Sequence, residues 1–439
     1  MRMVGFLGVV YLTQAPVAAQ VPLTRAPARL PFAFADFTWL NGNSRQHTSV
    51  LDSKYFTGEF RIDVSYIADF DRPADHTLVG TSESGRTGEI QVQQLGIGGD
   101  FHAGHARGRL MTQFGMYSTM TPRNDASPAR GQWNLADAYR YLSEAYGGIH
   151  LDKMHGINID AGIFMSYVGL FSYYNYDNWA YQPSYVSSNT PWFFNGIRLQ
   201  FFPSDKLKIE PWIINGWQSY GMFNGKPGLG MQMLWRPTAG VSVLSNNYYG
   251  YDWLGLRNRW RVHTDNSLQL KYLDRPKAAI RRGAFSFTAD AGCESGDGVT
   301  CTTQYFLGFM IYNRLWLKSD QVAFTIGGGG MNNPGRYLVL MPPINGATAF
   351  TGTPYFTENP GDKFSAWDAS AGIDLMPDEF VTVRGELDHR HSSVPYFAGR
   401  GGVTPPGGNT GAPGSTVSGW TPDLRMSETR LNFALLVKL

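Results

Sequence analysis

The chain reads as an all-β protein, a transmembrane antiparallel β-barrel of about sixteen strands, with fourteen and eighteen as the bounds. Three observations predict it. The first is the chain's end, where Leu431, Phe433, Leu435, Val437 and Leu439 alternate with Arg430, Asn432, Ala434 and Lys438, and only Leu436 breaks the rhythm. A period of two is a strand with one apolar and one wet face. Placed last on a chain with a secretory start, it suits a strand that must close against the first so that no edge is left in lipid. The second is composition: 51 glycines, 14% aromatic and only 16% charged residues. No apolar run reaches the ~20 residues of a membrane helix, and the longest, Tyr305 to Tyr312, is strand-sized. The third is the sorting of connections into short turns and long loops, which a barrel crossing a membrane shows and a soluble sandwich has no reason to show.

The start carries Arg2, an apolar stretch from Met3 to Leu12, and the small residues Val17, Ala18 and Ala19. This is the pattern of a signal peptide. Residues 1–19 are expected to be cleaved, 20–54 to form an N-terminal periplasmic lead-in, and 55–439 to form the barrel. The net charge of +2 gives no footprint for nucleic acid.

Sixteen segments alternate, at about 59–70, 88–101, 107–120, 136–150, 156–167, 193–203, 206–217, 227–236, 240–252, 258–273, 279–293, 301–316, 320–331, 364–376, 379–391 and 425–439. In the first, Phe60, Ile62, Val64 and Tyr66 alternate with Arg61, Asp63 and Ser65. Segment 156–167 sets Ile157, Ile159, Ala161 and Ile163 against Asn158 and Asp160. The clearest is 258–273, with Trp260, Val262, Leu268, Leu270 and Tyr272 on one face and Arg261, His263, Asp265, Gln269 and Lys271 on the other. Segment 379–391 opposes Val381, Val383 and Leu387 to Arg384, Glu386, Asp388 and Arg390. Segments 88–101 and 136–150 alternate poorly, and 36–40 could add an edge. Connections after even-numbered segments are short, such as Ser204-Asp205, Lys318-Ser319 and Pro377-Asp378; those after odd-numbered ones include 71–87, 121–135, 168–192, 332–363 and 392–424. Short turns are expected at the periplasmic rim and long loops outside the cell. Faces carrying both signs of charge suit a water-filled interior, which sixteen strands are wide enough to enclose.

Cys293 and Cys301 flank a turn-forming run, Glu294 to Thr300. They are either a cross-strand disulfide formed in an oxidising compartment or two unpaired thiols. No zinc spacing accompanies them, and no cofactor or metal is expected.

Asn333-Pro334-Gly335-Arg336-Tyr337-Leu338, Pro342-Pro343-Ile344-Asn345-Gly346-Ala347-Thr348-Ala349, Ala366-Trp367-Asp368, His389-Arg390-His391, Val394-Pro395-Tyr396-Phe397-Ala398-Gly399 and Gly401 to Pro406 stand out as a set, with Phe194-Asn195-Gly196-Ile197-Arg198 and Ile214-Asn215-Gly216-Trp217 earlier. Together they resemble the OmpL-like β-barrel porin family of Gram-negative outer membranes, over most of the chain after about residue 55. The resemblance implies a porin-like barrel. Gly169-Leu170-Phe171 stands where that family's pattern leads to expect a glycine followed shortly by glutamate, and Leu439 replaces a terminal aromatic.

The wet faces supply the candidate pore-lining residues: Arg61, Asp63, Asp160, Arg198, Lys208, Glu210, Arg261, His263, Asp265, Arg384, Glu386, Asp388 and Arg390. Opposed charges across a narrow pore filter solutes by charge and size. The competing reading is that they merely hydrate the lumen and pair with neighbours. Loop 332–363 is long enough to enter the lumen, with Arg336 as a lining residue, or to pack outside. Loop 168–192 holds Tyr173, Tyr174, Tyr176, Trp179, Tyr181, Tyr185 and Trp192, which would stack on solutes, sit at the headgroup girdle or pack the loop. Asp388-His389-Arg390-His391-Ser392-Ser393 superficially offers acid, base and nucleophile, but Asp388 and His389 face opposite sides of a strand. Gly327 to Gly330 lie within a strand and fit close packing or a bulge better than a phosphate loop.

The expected function is an outer-membrane porin, a non-enzymatic diffusion channel whose partners are outer-membrane lipid and small hydrophilic solutes. Many porins are homotrimers, although no interface signature is visible here. The rival readings are an outer-membrane barrel enzyme of lipase or protease type and a secreted soluble β-protein.

Overall fold

The computed structural model describes residues 31–125, 127, 131–337, 340–351 and 363–439. The expected signal peptide and the first part of the lead-in lie outside these residues. Among the described residues sixteen long strands close into one antiparallel barrel. They are β1 Phe56–Asp69, β2 Ile90–Ala103, β3 Ala106–Thr112, β4 Leu142–Leu151, β5 Ile157–Met165, β6 Phe193–Ser204, β7 Leu207–Ile214 and β8 Gly228–Thr238. The second half comprises β9 Val241–Gly250, β10 Trp260–Asp274, β11 Ile280–Ser295, β12 Tyr305–Leu317, β13 Val322–Asn333, β14 Phe364–Leu375, β15 Val381–Ser392 and β16 Ser427–Lys438. The last strand pairs with the first, Asp63 opposite Leu436 and Tyr66 opposite Phe433, so the ladder has no open edge.

Alternation decides which way each side chain looks. Along β12, Leu307, Phe309 and Ile311 are exposed on the outside, while Phe306, Met310, Tyr312 and Arg314 are buried inside. An apolar outer face is what the expected transmembrane barrel requires, since lipid rather than water would cover it. Ile311 sits midway along its strand. Ile311→Arg is therefore expected to destabilise the barrel by about 2–4 kcal/mol, the toll of a cation at mid-bilayer; denaturant titration of the protein folded into lipid vesicles measures it.

Two strand ends differ from the sequence reading. Segment 107–120 stops at Thr112, because the chain turns at Gly115 (φ 92°) into a short helix, Tyr117–Met120. Segment 136–150 begins late, because Asn134 caps a helix over Leu135–Tyr139 by accepting the Asp137 N–H. Residues 36–40 form turns and add no edge strand. Turns lie at 104–105, 152–156, 205–206, 239–240, 275–279, 318–321 and 376–380, and every connection at the opposite rim is longer. Cys293 and Cys301 are joined in a disulfide across one of those longer connections, with Cα atoms 5.0 Å apart.

Candidate functional site

The interior is not an open tube. The connection between β5 and β6, residues 166–192, leaves the wall and crosses the lumen. Its aromatic side chains are why. Tyr167 stacks on Phe194 and Trp212 at ring separations of 5.1 and 5.0 Å, and its hydroxyl donates to Asn247 O across the barrel wall at 2.8 Å. Phe171 meets Tyr312 and Trp179 meets Trp316, both edge-on. Residues of this loop that would have been costly in water are fully buried, among them Tyr181, Tyr185 and Val186. The wall makes room with glycine. A Cβ at Gly327 would collide with the Tyr312 ring, and one at Gly329 with Ser184 Oγ of the crossing loop.

Charged wall residues then pin the loop's backbone. Glu386 accepts the Tyr181 and Gln182 N–H groups at 2.6 and 2.8 Å. Asp368 accepts Ser184 Oγ and Tyr185 N, each at 2.7 Å. Arg384 donates to Asn178 O at 2.7 Å, Arg390 to Pro183 O at 2.8 Å, and Arg314 to Trp179 O at 3.1 Å. Asp374 sits between Arg384 and Arg314, 2.6 Å from each. Asp63 accepts Asn175 Nδ2 and Tyr181 OH, and Arg61 pairs with Asp177, all at 3.0 Å. Buried charge is tolerated when paired or hydrogen-bonded: Arg61, Arg314, Arg384 and Arg390 each pair with a carboxylate, while Asp63, Asp368 and Glu386 take hydrogen bonds from the loop. Of the charged residues singled out in the sequence, Arg61, Asp63, Arg384, Glu386 and Arg390 are thus anchors of a loop.

The loop leans on β10–β16 and leaves a cavity of about 520 Å³ on its other side. Residues 165–174 form one wall of this cavity, and Arg61, Asp100, Arg107, Arg109, Glu144 and Arg198 are among those forming the other. Asp160 is shared by Arg198 at 3.0 Å and Arg107 at 3.4 Å. The carboxylate is fully buried while the Arg107 side chain is 24% exposed, so the guanidinium, not the acid, meets the passage. Arg109 is braced by Glu59, Asp100 and Glu144 at 2.8–2.9 Å. Below it, a wider chamber of about 850 Å³ shares Arg107 and Gln200 with the first and opens at the short-turn rim past Lys208 and Arg236. Lys208 pairs with Glu210 at 2.8 Å.

The remaining candidates sit apart from this passage. Arg261 pairs with Glu294 at 2.6 Å, and His263 lies between Asp290 at 2.6 Å and Tyr337 OH at 2.8 Å. Asp265 is buried and accepts Asn246 Nδ2. Asp388 holds Arg430 at 3.2 Å, while His389 and His391 lie on the outer face against Trp367, so no catalytic set forms there. Arg336 lines a pocket of about 440 Å³ with Trp217, Arg261 and Tyr337, away from the crossing loop's anchors. The loop that crosses the lumen is 166–192; the sequence leaves 332–363 open between entering the lumen and packing outside. The described residues of 334–363 mostly cap the long-loop end: Arg123 donates to Met341 O and Ala347 O, Asn345 N to Val403 O, and Tyr396 OH to Leu340 O. Tyr337 alone of the contacts named here reaches down to the wall.

The sequence reading passed over Asp100 and Glu144, which lie on the segments that alternate poorly, and Arg107 and Arg109 at the start of segment 107–120. Asp368 (noted only within Ala366-Trp367-Asp368), Asp374 and Arg314 were not picked as lining residues either. The first two stand on the wet face of a cleanly alternating segment, which was the available signal. Arg314 is flanked in register by Tyr312 and Trp316, and an aromatic inward face masked it.

Comparison with known proteins places this architecture. Residues 56–412 match the family described as "Putative beta-barrel porin-2, OmpL-like". No curated protein matches the chain. Among solved structures, OprB of Pseudomonas putida at high pH is 12% identical, with 88% of this chain and 94% of that one covered at a TM-score of 0.51. The anion-selective porin of Comamonas acidovorans is 10% identical, with 88% and 99% covered at 0.50. OmpT of Vibrio cholerae is 8% identical, with 89% and 99% covered at 0.50. These likenesses show a shared barrel fold.

Proposed function

The chain belongs to the OmpL-like beta-barrel porin-2 family and is an outer-membrane porin, and from that premise we propose that it is a passive channel for small hydrophilic solutes, filtered at a constriction formed by residues 166–192. The observation that carries this reading is the cavity between that loop and the strands β1–β8, which abuts the chamber at the short-turn rim and shares Arg107 and Gln200 with it. Size selection follows from a lumen half filled by the loop. Charge selection follows from which charges face the water that remains. Arg107 is one of them; Asp160 behind it is sealed from solvent. The short turns are assigned to the periplasm and the long loops to the cell exterior. Lipid covers the apolar outer face. Transport of this kind breaks no covalent bond, and the chain is proposed to act without enzymatic chemistry or a cofactor.

Purified, folded protein in a planar bilayer should give stable current steps, and their absence at every voltage would sink the reading. Arg107→Glu is expected to move the reversal potential in a salt gradient toward cations with heat-modifiable gel migration retained. An unmoved potential would remove Arg107 from the filter.

A further inference from the structure

The constriction has a second piece. Residues 36–47 do not trail away from the barrel as a free lead-in. They run across its short-turn mouth as a strap. At one side Trp39, fully buried, donates its indole N–H to Ala239 O at 3.1 Å, in the turn after β8. At the other, Arg45 donates to Asp378 O and Val381 O, both at 2.6 Å, and Gln46 to Lys438 O at 2.7 Å. Strands β8 and β16 are half a circuit apart in the ring, so the strap spans the diameter. The Glu379 carboxylate takes the His47 N–H at 2.5 Å, and the hydrogen bonds from Thr48 and the His47 amide hold its carboxyl below the ordinary glutamate range.

Midway, the strap meets the crossing loop. Asn41 Oδ1 accepts Trp179 N at 2.8 Å, Trp39 O accepts the Trp179 indole N–H at 3.2 Å, and Gly42 N donates to Asp177 O at 3.1 Å. Asn41 N in turn donates to Gln269 Oε1 on the wall at 2.8 Å. Loop and strap are one hydrogen-bonded partition. It separates the 850 Å³ chamber, which adjoins the constriction, from a chamber of about 290 Å³ on the far side bounded by Trp316, Asp374 and Arg384. Asn43 lies on the boundary and faces both.

We infer that residues 36–47, through Trp39 and Asn41, are a positioning segment of the channel: they hold the constriction loop from below and confine solute to one half of the mouth. This rests on the porin reading and adds to it a determinant outside the barrel wall. The peptide groups involved are buried, so each lost partner leaves an unsatisfied donor or acceptor that favours water entry and loop movement.

The test uses the full-length protein in planar bilayers. The double variant Trp39→Ala with Asn41→Ala is expected to raise single-channel conductance roughly twofold, as the far chamber joins the path, with heat-modifiable migration showing the barrel intact. A second measurement does not depend on loosening the strap. In an Asn43→Cys variant, whose native cysteines are already bonded to each other, labelling with a charged thiosulfonate should cut the current. A conducting protein whose current is unchanged in both experiments, with labelling verified by mass, would overturn the strap alone. Failure of the unaltered protein to conduct would overturn both the strap and the porin reading.

Discussion

Replacing residues 170–190 with a short Gly-Ser linker is expected to raise single-channel conductance severalfold and to admit sugars that the intact protein excludes. This should be the largest effect of any change short of unfolding. The wall does not depend on the loop for its ladder: each strand is hydrogen-bonded to two neighbours around a closed ring. What the loop supplies is filling. With it gone, Glu386, Asp368 and Arg390 lose their backbone partners but gain water, so the penalty of stranding buried charge does not arise. Liposome-swelling assays with sugars of increasing size read the new cut-off, and conductance equal to that of the intact protein would show that the loop does not limit flow.

The second large effect is expected at Asp374. Its carboxylate takes Arg384 at 2.6 and 2.8 Å and Arg314 at 2.6 Å, and both arginines reach on to carbonyls of the crossing loop. Asp374→Leu leaves two buried guanidiniums without their shared counterion. Removing one partner of such a group costs about 3–5 kcal/mol. The protein is expected to relieve it by letting the loop lift and water enter, which appears as a lower thermal midpoint together with noisy, enlarged current steps. Asp374→Asn keeps an acceptor oxygen but no charge and should fall between. Quiet currents of normal size in the leucine variant would show that the loop is held elsewhere.

Strand positions were legible because a period of two is written directly in residue order, from Phe60 and Arg61 on β1 to Leu435 and Lys438 on β16. Parity also placed Arg384, Glu386, Asp388 and Arg390 on the inner face. It could not say what they touch. Their partners depend on register between neighbouring strands, such as Asp374 opposite Arg384, and on a loop from the other side of the barrel. The inserted loop was unreadable for a related reason. Its tyrosines and tryptophans announce a need for cover, but the cover is a glycine-lined wall formed about 140 residues later by Gly327 and Gly329. The strap was harder still. Trp39, Asn41 and Arg45 follow no period, because each is held by its own contacts to different parts of the chain rather than by a repeating element.

The joining of β1 to β16 has a consequence for biogenesis. Neither strand has both its neighbours until the other is present, so a nascent chain still on the ribosome cannot complete the cylinder, however much of it has emerged. A product truncated before Ser427 would carry two raw edges, on β1 and β15. The cylinder therefore closes only once the strand Ser427–Lys438 is present.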